Sequence, residues 1–374
     1  MAAVFLAPLQ GWRRSLARQY GWVRSRVAIV EVMARAVPAL SVACLLLCGC
    51  VVERYGPSLP VRPPVPLQES VEARLDYASI GSATLAATWE DGEAEVYDGR
   101  LAVRVPGDDG RPLGAPAPQD AAAGPPPGEV QVRFEYWRSK SAGPGPAPLV
   151  LVTPILGGGK RLARTHCRDF VRSGFHVLLA WRGAKVLRGS WSLETIPRFL
   201  TRAMAARRAL VDWAARRPEV DPERIAAFGI SMGGILTSVL VAVEPRIHSA
   251  VIALAGGDLP RVLTVSDEGR LVRFRERKQH ELGLDPKGYE AALRRVLWTD
   301  PLQLAPSVDP RRVLLVTTRY DSVVPPDCQQ RLWVALGRPL RYDLPTGHYG
   351  GIVYLPYVTE IVVDWLRERF ATGG

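Results

Sequence analysis

Gly229-Ile230-Ser231-Met232-Gly233 sets a serine between two glycines, directly after the apolar run "IAAF" and directly before "ILTSVLV". A serine hydroxyl is too weakly acidic to attack unaided; it needs an imidazole to take its proton and a carboxylate to orient that ring. Both types follow. Asp321 ends a buried run in "LLVTTRYDSVVPP", and His348 sits in the glycine-flanked stretch "YDLPTGHYGG" before the last helical segment. Between a strand and a helix, G-x-S-x-G makes a strained turn that lifts the hydroxyl above the sheet, while small neighbours let the two elements approach closely. The chain order Ser231, Asp321, His348 is that of a serine nucleophile with its acid and base.

Other residues compete for these roles. Asp258 in "LAGGDLP" follows the preceding strand and is the alternative acid, whereas Asp343 lies too near His348 in its own strand and loop. His166 falls at a helix start, His176 begins a strand, His248 precedes one and His280 lies in a charged helix. These four read as structural or solvated, and their scattered spacing offers no zinc set. The run 157–160 resembles a phosphate-binding loop, but Pro154 and Arg161 stand where Gly and Ser or Thr are required.

The elements that must position these groups are visible in the patterning. From Leu149 onward strand, loop and helix alternate, which predicts a mostly parallel sheet flanked by helices. "PLVLVTPILGGG", "FHVLLAWRG", "SAVIALAGG" and "RRVLLVTTRYD" read as buried strands. "TIPRFLTRAMAARRALVDWAARRP" puts Phe199, Ala203, Ala206, Leu210 and Trp213 on one helical face with arginines elsewhere. Residues 84–105 and 129–138 alternate apolar and polar side chains, as half-buried antiparallel strands do. The Pro/Gly/Ala-rich stretch between them reads as a mobile loop. Loops at the C-terminal ends of successive parallel strands converge on one crevice, so Ser231, Asp321 and His348 are expected to meet. An insertion over 259–300 predicts a small helical lid above Ser231. Its Phe274, Leu282, Tyr289, Leu293 and Trp298 either face the pocket or anchor the lid, and its arginines read as a solvated face.

Residues 149–374 resemble an α/β-hydrolase of the serine esterase type. "RALVDWAARRPEVDPERIAAFGISMGG" is similar to that family's helix-strand-elbow segment, and "TTRYDSVVP" resembles its acid loop. The resemblance implies an α/β-hydrolase fold and acyl transfer by Ser231, Asp321 and His348 on a small-molecule acyl substrate, with no cofactor. It also implies an oxyanion site built from the backbone N–H of Met232 and a second donor from the loop "TPILGGGK", at Ile155 or Leu156. No His-Gly pair opens that loop here, which is a departure from the family. Carboxylic esters are the expected substrates. A thioesterase or peptidase, or a catalytically silent membrane-tethered binding protein, is the alternative; peptidase relatives usually carry a large extra domain, for which the first hundred mature residues are too few.

The 374 residues, 47% hydrophobic, suffice for one large α/β domain and a leader. Of the formal charge of +11, the first fifty residues carry +5, leaving a modest +6 without any basic run interleaved with aromatics. Nucleic acid is therefore not an expected partner. "MARAVPALSVACLLLCGC", residues 33–50, resembles the signal peptide of bacterial lipoproteins, too short to span a bilayer comfortably, with Cys50 at the lipidated position and Met33 as the natural start. Cleaved or retained as an anchor, it puts the remainder outside the cytoplasm, tied to a membrane of the cell envelope. Residues 51–70 are a proline-rich, packing-poor tether and 71–374 the catalytic domain. Cys167 and Cys328 do not make a disulfide framework.

Overall fold

The computed structural model of the chain describes residues 52–372, apart from 58, 107, 109–112, 114–127, 158 and 182–185. The leader, with Met33 and Cys50, lies outside the described residues, as does most of the loop between the two alternating stretches.

In chain order the first half comprises β1 (Glu53–Tyr55), α1 (Glu69–Arg74), β2 (Ala78–Asp91), β3 (Ala94–Arg104), β4 (Glu129–Ser139), β5 (Ala147–Thr153), α2 (Lys160–Arg172), β6 (His176–Ala180) and α3 (Thr195–Ala215). The second half comprises β7 (Val220–Ile230), α4 (Met232–Val243), β8 (Ile247–Ala253), α5 (Leu259–Val265), α6 (Gly269–Leu282), α7 (Pro286–Val296), α8 (Pro301–Leu304), β9 (Val313–Thr318), α9 (Pro326–Ala335), β10 (Leu340–Leu344) and α10 (Leu355–Ala371).

Among the described residues ten strands form one sheet, ordered β1-β10-β9-β8-β7-β5-β6-β4-β3-β2. The six from β10 to β6 run parallel. β4, β3 and β2 continue the sheet antiparallel beyond β6, and β1 closes the other edge antiparallel to β10. β6, β8 and β9 are buried along nearly their whole length, the mark of strands covered on both faces. β3 alternates buried and accessible side chains, as its sequence pattern requires. The stretch over 84–105 falls in two antiparallel strands, because Gly92 turns the chain at positive φ and pairs β2 with β3. From β5 the chain goes to β6 on one side and then returns to β7 on the other. The loops after β5 and β7 thus diverge to opposite faces and leave a crevice between them, a topological switch point.

Two segments depart from the sequence reading. Expected as a packing-poor tether, residues 51–70 instead contribute β1, whose Tyr55 packs on Trp333 and under the Arg341 guanidinium. Farther along, Val65 N–H donates to the Pro306 carbonyl. An unpaired edge at β10 favours such an addition, since its backbone groups would otherwise have only water as partner. On α3 burial extends well beyond one face and takes in arginines. Arg202 pairs with Asp108, and Arg207 Nε donates to Thr153 Oγ1 at 3.1 Å. A helix enclosed on several sides can hold arginine only where its donors find acceptors. At the antiparallel side, buried Glu135 accepts from Arg164 (2.6 and 3.1 Å) and from the indoles of Trp137 and Trp181 (3.1 Å each), locking β4 to α2 and to the segment after β6.

Candidate active site

β7 delivers Ser231 to the crevice. Its backbone sits at φ 57°, ψ −123°, a strained conformation for a residue with a Cβ. The strain is held by hydrogen bonds on both sides: Ser231 N–H to the Ala253 carbonyl at 2.8 Å, and Ile235 N–H to the Ser231 carbonyl at 3.0 Å. The flanking glycines explain how so sharp a turn packs. A Cβ on Gly229 would run into the Gly233 carbonyl, and one on Gly233 into the Thr153 carbonyl of β5. Strand and helix therefore approach closer than any side chain allows.

β9 leads to Asp321 at the same crevice. Asp321 is 3% exposed, and its carboxylate has a full set of donors. Oδ1 accepts from Val323 N–H (2.9 Å) and Val324 N–H (2.8 Å), while Oδ2 accepts from Thr318 Oγ1 (2.7 Å) and Gln329 Nε2 (3.2 Å). Oδ2 also lies 2.8 Å from His348 Nδ1. An ionised carboxylate only accepts, so Nδ1 carries the ring proton and Nε2 presents its lone pair. Nε2 lies 2.9 Å from Ser231 Oγ. Three residues separated by up to 117 positions thus form one line of hydrogen bonds, as their places at neighbouring strand ends require.

The competing acids point elsewhere. Asp258, buried at φ 60°, pairs with Arg294 (2.9 Å) and Arg331 (2.6 Å). Asp343 accepts from Thr317 Oγ1 (2.6 Å) and Arg319 Nε (2.8 Å). Among the remaining histidines, His166 lies inside α2 rather than at its start, against Phe228; burial pushes its imidazole down to about 4. His176 accepts from Ser139 N–H and reaches the Glu219 carbonyl, and burial holds it below the usual range. His248 lies within β8 beside Ser249, and His280 is exposed on α6. Cys167 and Cys328 are free and buried, and burial pushes the Cys328 thiol up to about 12.

Ser231 and His348 open on a cavity of about 310 Å³ whose wall also includes Met232, Ile155 and Leu156. α5, α6 and α7 form the helical cap expected over 259–300. Leu259, Val262, Leu263 and Leu271 supply its apolar lining, with Glu268 and Arg270 beside them. The five lid residues singled out in the sequence do not line the cavity. Phe274, Tyr289 and Leu293 are buried as anchors, Trp298 lies under the Arg74 guanidinium, and Leu282 is exposed. Both ends of the cap meet at Asp300, whose carboxylate accepts the N–H groups of Asp258 (3.0 Å), Leu259 (2.5 Å) and Leu302 (2.8 Å). Burial holds the Asp300 carboxyl above its usual range against those three bonds. Sequence reading also missed Thr318 and Gln329, which brace Asp321, and Arg270, whose Nη1 donates to the Leu156 carbonyl at 3.2 Å. Each acts across a fold contact that no local pattern announces.

Two solved structures share this arrangement of elements. The acetyl xylan esterase from Paenibacillus sp. R4 superposes with a TM-score of 0.56 at 16% identity, over 80% of this chain and 91% of that one. Acetyl xylan esterase 1 from Thermoanaerobacterium sp. JW/SL YS485 gives 0.55 at 17%, over 84% and 100%. This is the α/β-hydrolase fold. Within the α/β-hydrolase domain, residues 201–341 match the family model described as the prolyl oligopeptidase family, a span that includes the elbow, the cap and the acid loop. The protein YdjC of Bacillus subtilis (strain 168) is 31% identical over 71 residues, 19% of this chain and 61% of that protein. The chain thus spans about three fifths of the length of this curated relative.

Proposed function

We propose that this α/β-hydrolase is a serine hydrolase that cleaves carboxylic esters through an acyl-enzyme. The observation that carries the reading is the hydrogen-bonded line from Asp321 through His348 to Ser231, ending at a strained, cavity-facing serine. His348 Nε2 takes the Oγ proton as Oγ attacks the ester carbonyl, and Asp321 steadies the imidazolium that results. The Met232 N–H at the start of α4, with an N–H from Ile155 or Leu156, receives the oxyanion. The tetrahedral intermediate expels the alcohol, which leaves with the proton from His348. His348 then deprotonates a water that attacks the acyl carbon and frees Ser231.

The match to the prolyl oligopeptidase family supports a second reading, in which the same three residues cleave an amide. A fluorophosphonate probe is the first test: it labels the full chain at Ser231, and Ser231→Ala abolishes the label. Absence of labelling would identify a silent binding protein instead. A panel of acyl esters, thioesters and aminoacyl amides then separates the readings, with turnover of esters alone expected. We also propose that Cys50 is acylated and ties the domain to a membrane of the cell envelope. Loss of membrane-fraction recovery in Cys50→Ala is the expected outcome.

A further inference from the structure

The cavity beside Ser231 is larger than catalysis at a small ester needs. A methylene takes up close to the volume of a liquid water, so about 310 Å³ holds on the order of ten chain carbons, whereas an acetyl methyl would leave most of it empty. One wall comes from α3, with Ile196, Phe199 and Leu200, and another from the cap, with Val262, Leu263 and Leu271. The cap ends are fastened by Asp300, so this wall belongs to the folded domain.

The charged residues that reach the cavity among the described ones are already engaged with backbone. The Glu268 carboxylate accepts from the N–H groups of Arg270 (2.7 Å) and Leu271 (3.1 Å), and Arg270 donates to the Leu156 carbonyl. A sugar or a peptide brings many polar groups that lose water on entry and need partners in return. These described side chains offer few. At the mouth, Tyr349 and Ile352 line the cavity and are also 66% and 50% exposed, so apolar surface continues from the interior to solvent.

We propose that the ester cleaved at Ser231 carries a long apolar chain, roughly eight to ten carbons, lodged between α3 and the cap. The proposal rests on the serine hydrolase reading for its chemistry and leaves the covalent steps unchanged: Oγ–C forms, the ester C–O breaks, and water completes the cycle. Leu200 and Val262 set the chain length by filling or freeing the volume on either side.

Kinetics of the full chain on p-nitrophenyl acetate, butyrate, octanoate and decanoate test it. Each buried methylene strengthens binding up to about fourfold, so kcat/KM for octanoate is expected to exceed that for acetate at least about tenfold. Acetate as the best substrate overturns the proposal. Leu200→Trp and Val262→Trp should each lower the octanoate-to-acetate ratio at least about fivefold, and ratios unchanged in both folded variants count against it. A measurement independent of turnover follows Tm of the full-length Ser231→Ala chain with decanoate. A rise in Tm supports the apolar site, and none at millimolar decanoate overturns it. Fluorophosphonate labelling of the unmutated chain keeps the two ideas apart. Labelling without decanoate binding sinks the long-chain site and spares the hydrolase, whereas decanoate binding without labelling does the reverse.

Discussion

At Ser231 the backbone stores strain that only a built turn can hold. A non-glycine residue at φ 57°, ψ −123° costs on the order of 1–3 kcal/mol, part of which a glycine recovers. Ser231→Gly should therefore raise the unfolding free energy by about 1 kcal/mol in urea titration while removing fluorophosphonate labelling. An equal or lower stability would mean that the turn is relaxed. Asp321 makes a different demand, because its charge selects the His348 tautomer that leaves Nε2 free to accept. Asp321→Asn is expected to lower kcat by about three to four orders of magnitude with little change in KM, by analogy with the measured loss when a triad aspartate becomes asparagine. The tight set of donors around Asp321 means that the asparagine amide also meets Thr318 and Gln329. Steady-state kinetics on a responsive ester reads this directly.

Between elements, close approach and clamping matter more than any single side chain. Gly233 faces the Thr153 carbonyl, so Gly233→Ala must push α4 away from β5. A loss of about 1–3 kcal/mol is expected, with labelling of Ser231 slowed because the elbow shifts with the helix. The cap behaves as an element fastened at its base. Asp300→Ala leaves three N–H groups, those of Asp258 and Leu259 buried and that of Leu302 half-buried, without their acceptor and should cost at least about 2 kcal/mol in urea titration. A variant as stable as the parent would show that the cap holds by its apolar anchors alone. Phe274, Tyr289 and Leu293 supply those anchors.

Over the whole molecule, buried titratable groups away from Ser231 set the response to acid. His166 Nε2 has no hydrogen-bond partner among the described residues, and its imidazole titrates at about 4 rather than 6.5. Between these values the unfolded chain binds a proton that the native chain refuses. The contribution of His166 is thus full above pH 6.5 and lost as pH falls through the window. Asp169 on the same helix works in the opposite sense: burial raises its carboxyl from 3.8 to about 6, so its share is present below pH 3.8 and lost as pH rises toward 6. Comparing a variant with the parent cancels the common background. Between pH 7 and pH 5, His166→Leu should lose about 2 kcal/mol less unfolding free energy than the parent, and parallel pH profiles would refute a buried neutral imidazole.

The local sequence was enough to place Ser231 in a tight turn between strand and helix, because such an elbow is encoded within five residues whose sizes dictate the backbone. It was enough also for the parallel strands, since unbroken apolar runs separated by helical periods admit few other arrangements. Asp321 and Asp258 each follow a strand, and nothing near either one distinguishes a histidine partner from an arginine pair. Only the three-dimensional packing did so, by setting Arg294 and Arg331 on Asp258 and His348 on Asp321. The same holds for β1, for the hold of Asp300 on the cap ends and for the apolar cavity. Backbone pattern is a property of neighbours along the chain, whereas ion pairs, edge pairing and cavity walls join residues tens to hundreds of positions apart and exist only once the chain has closed on itself.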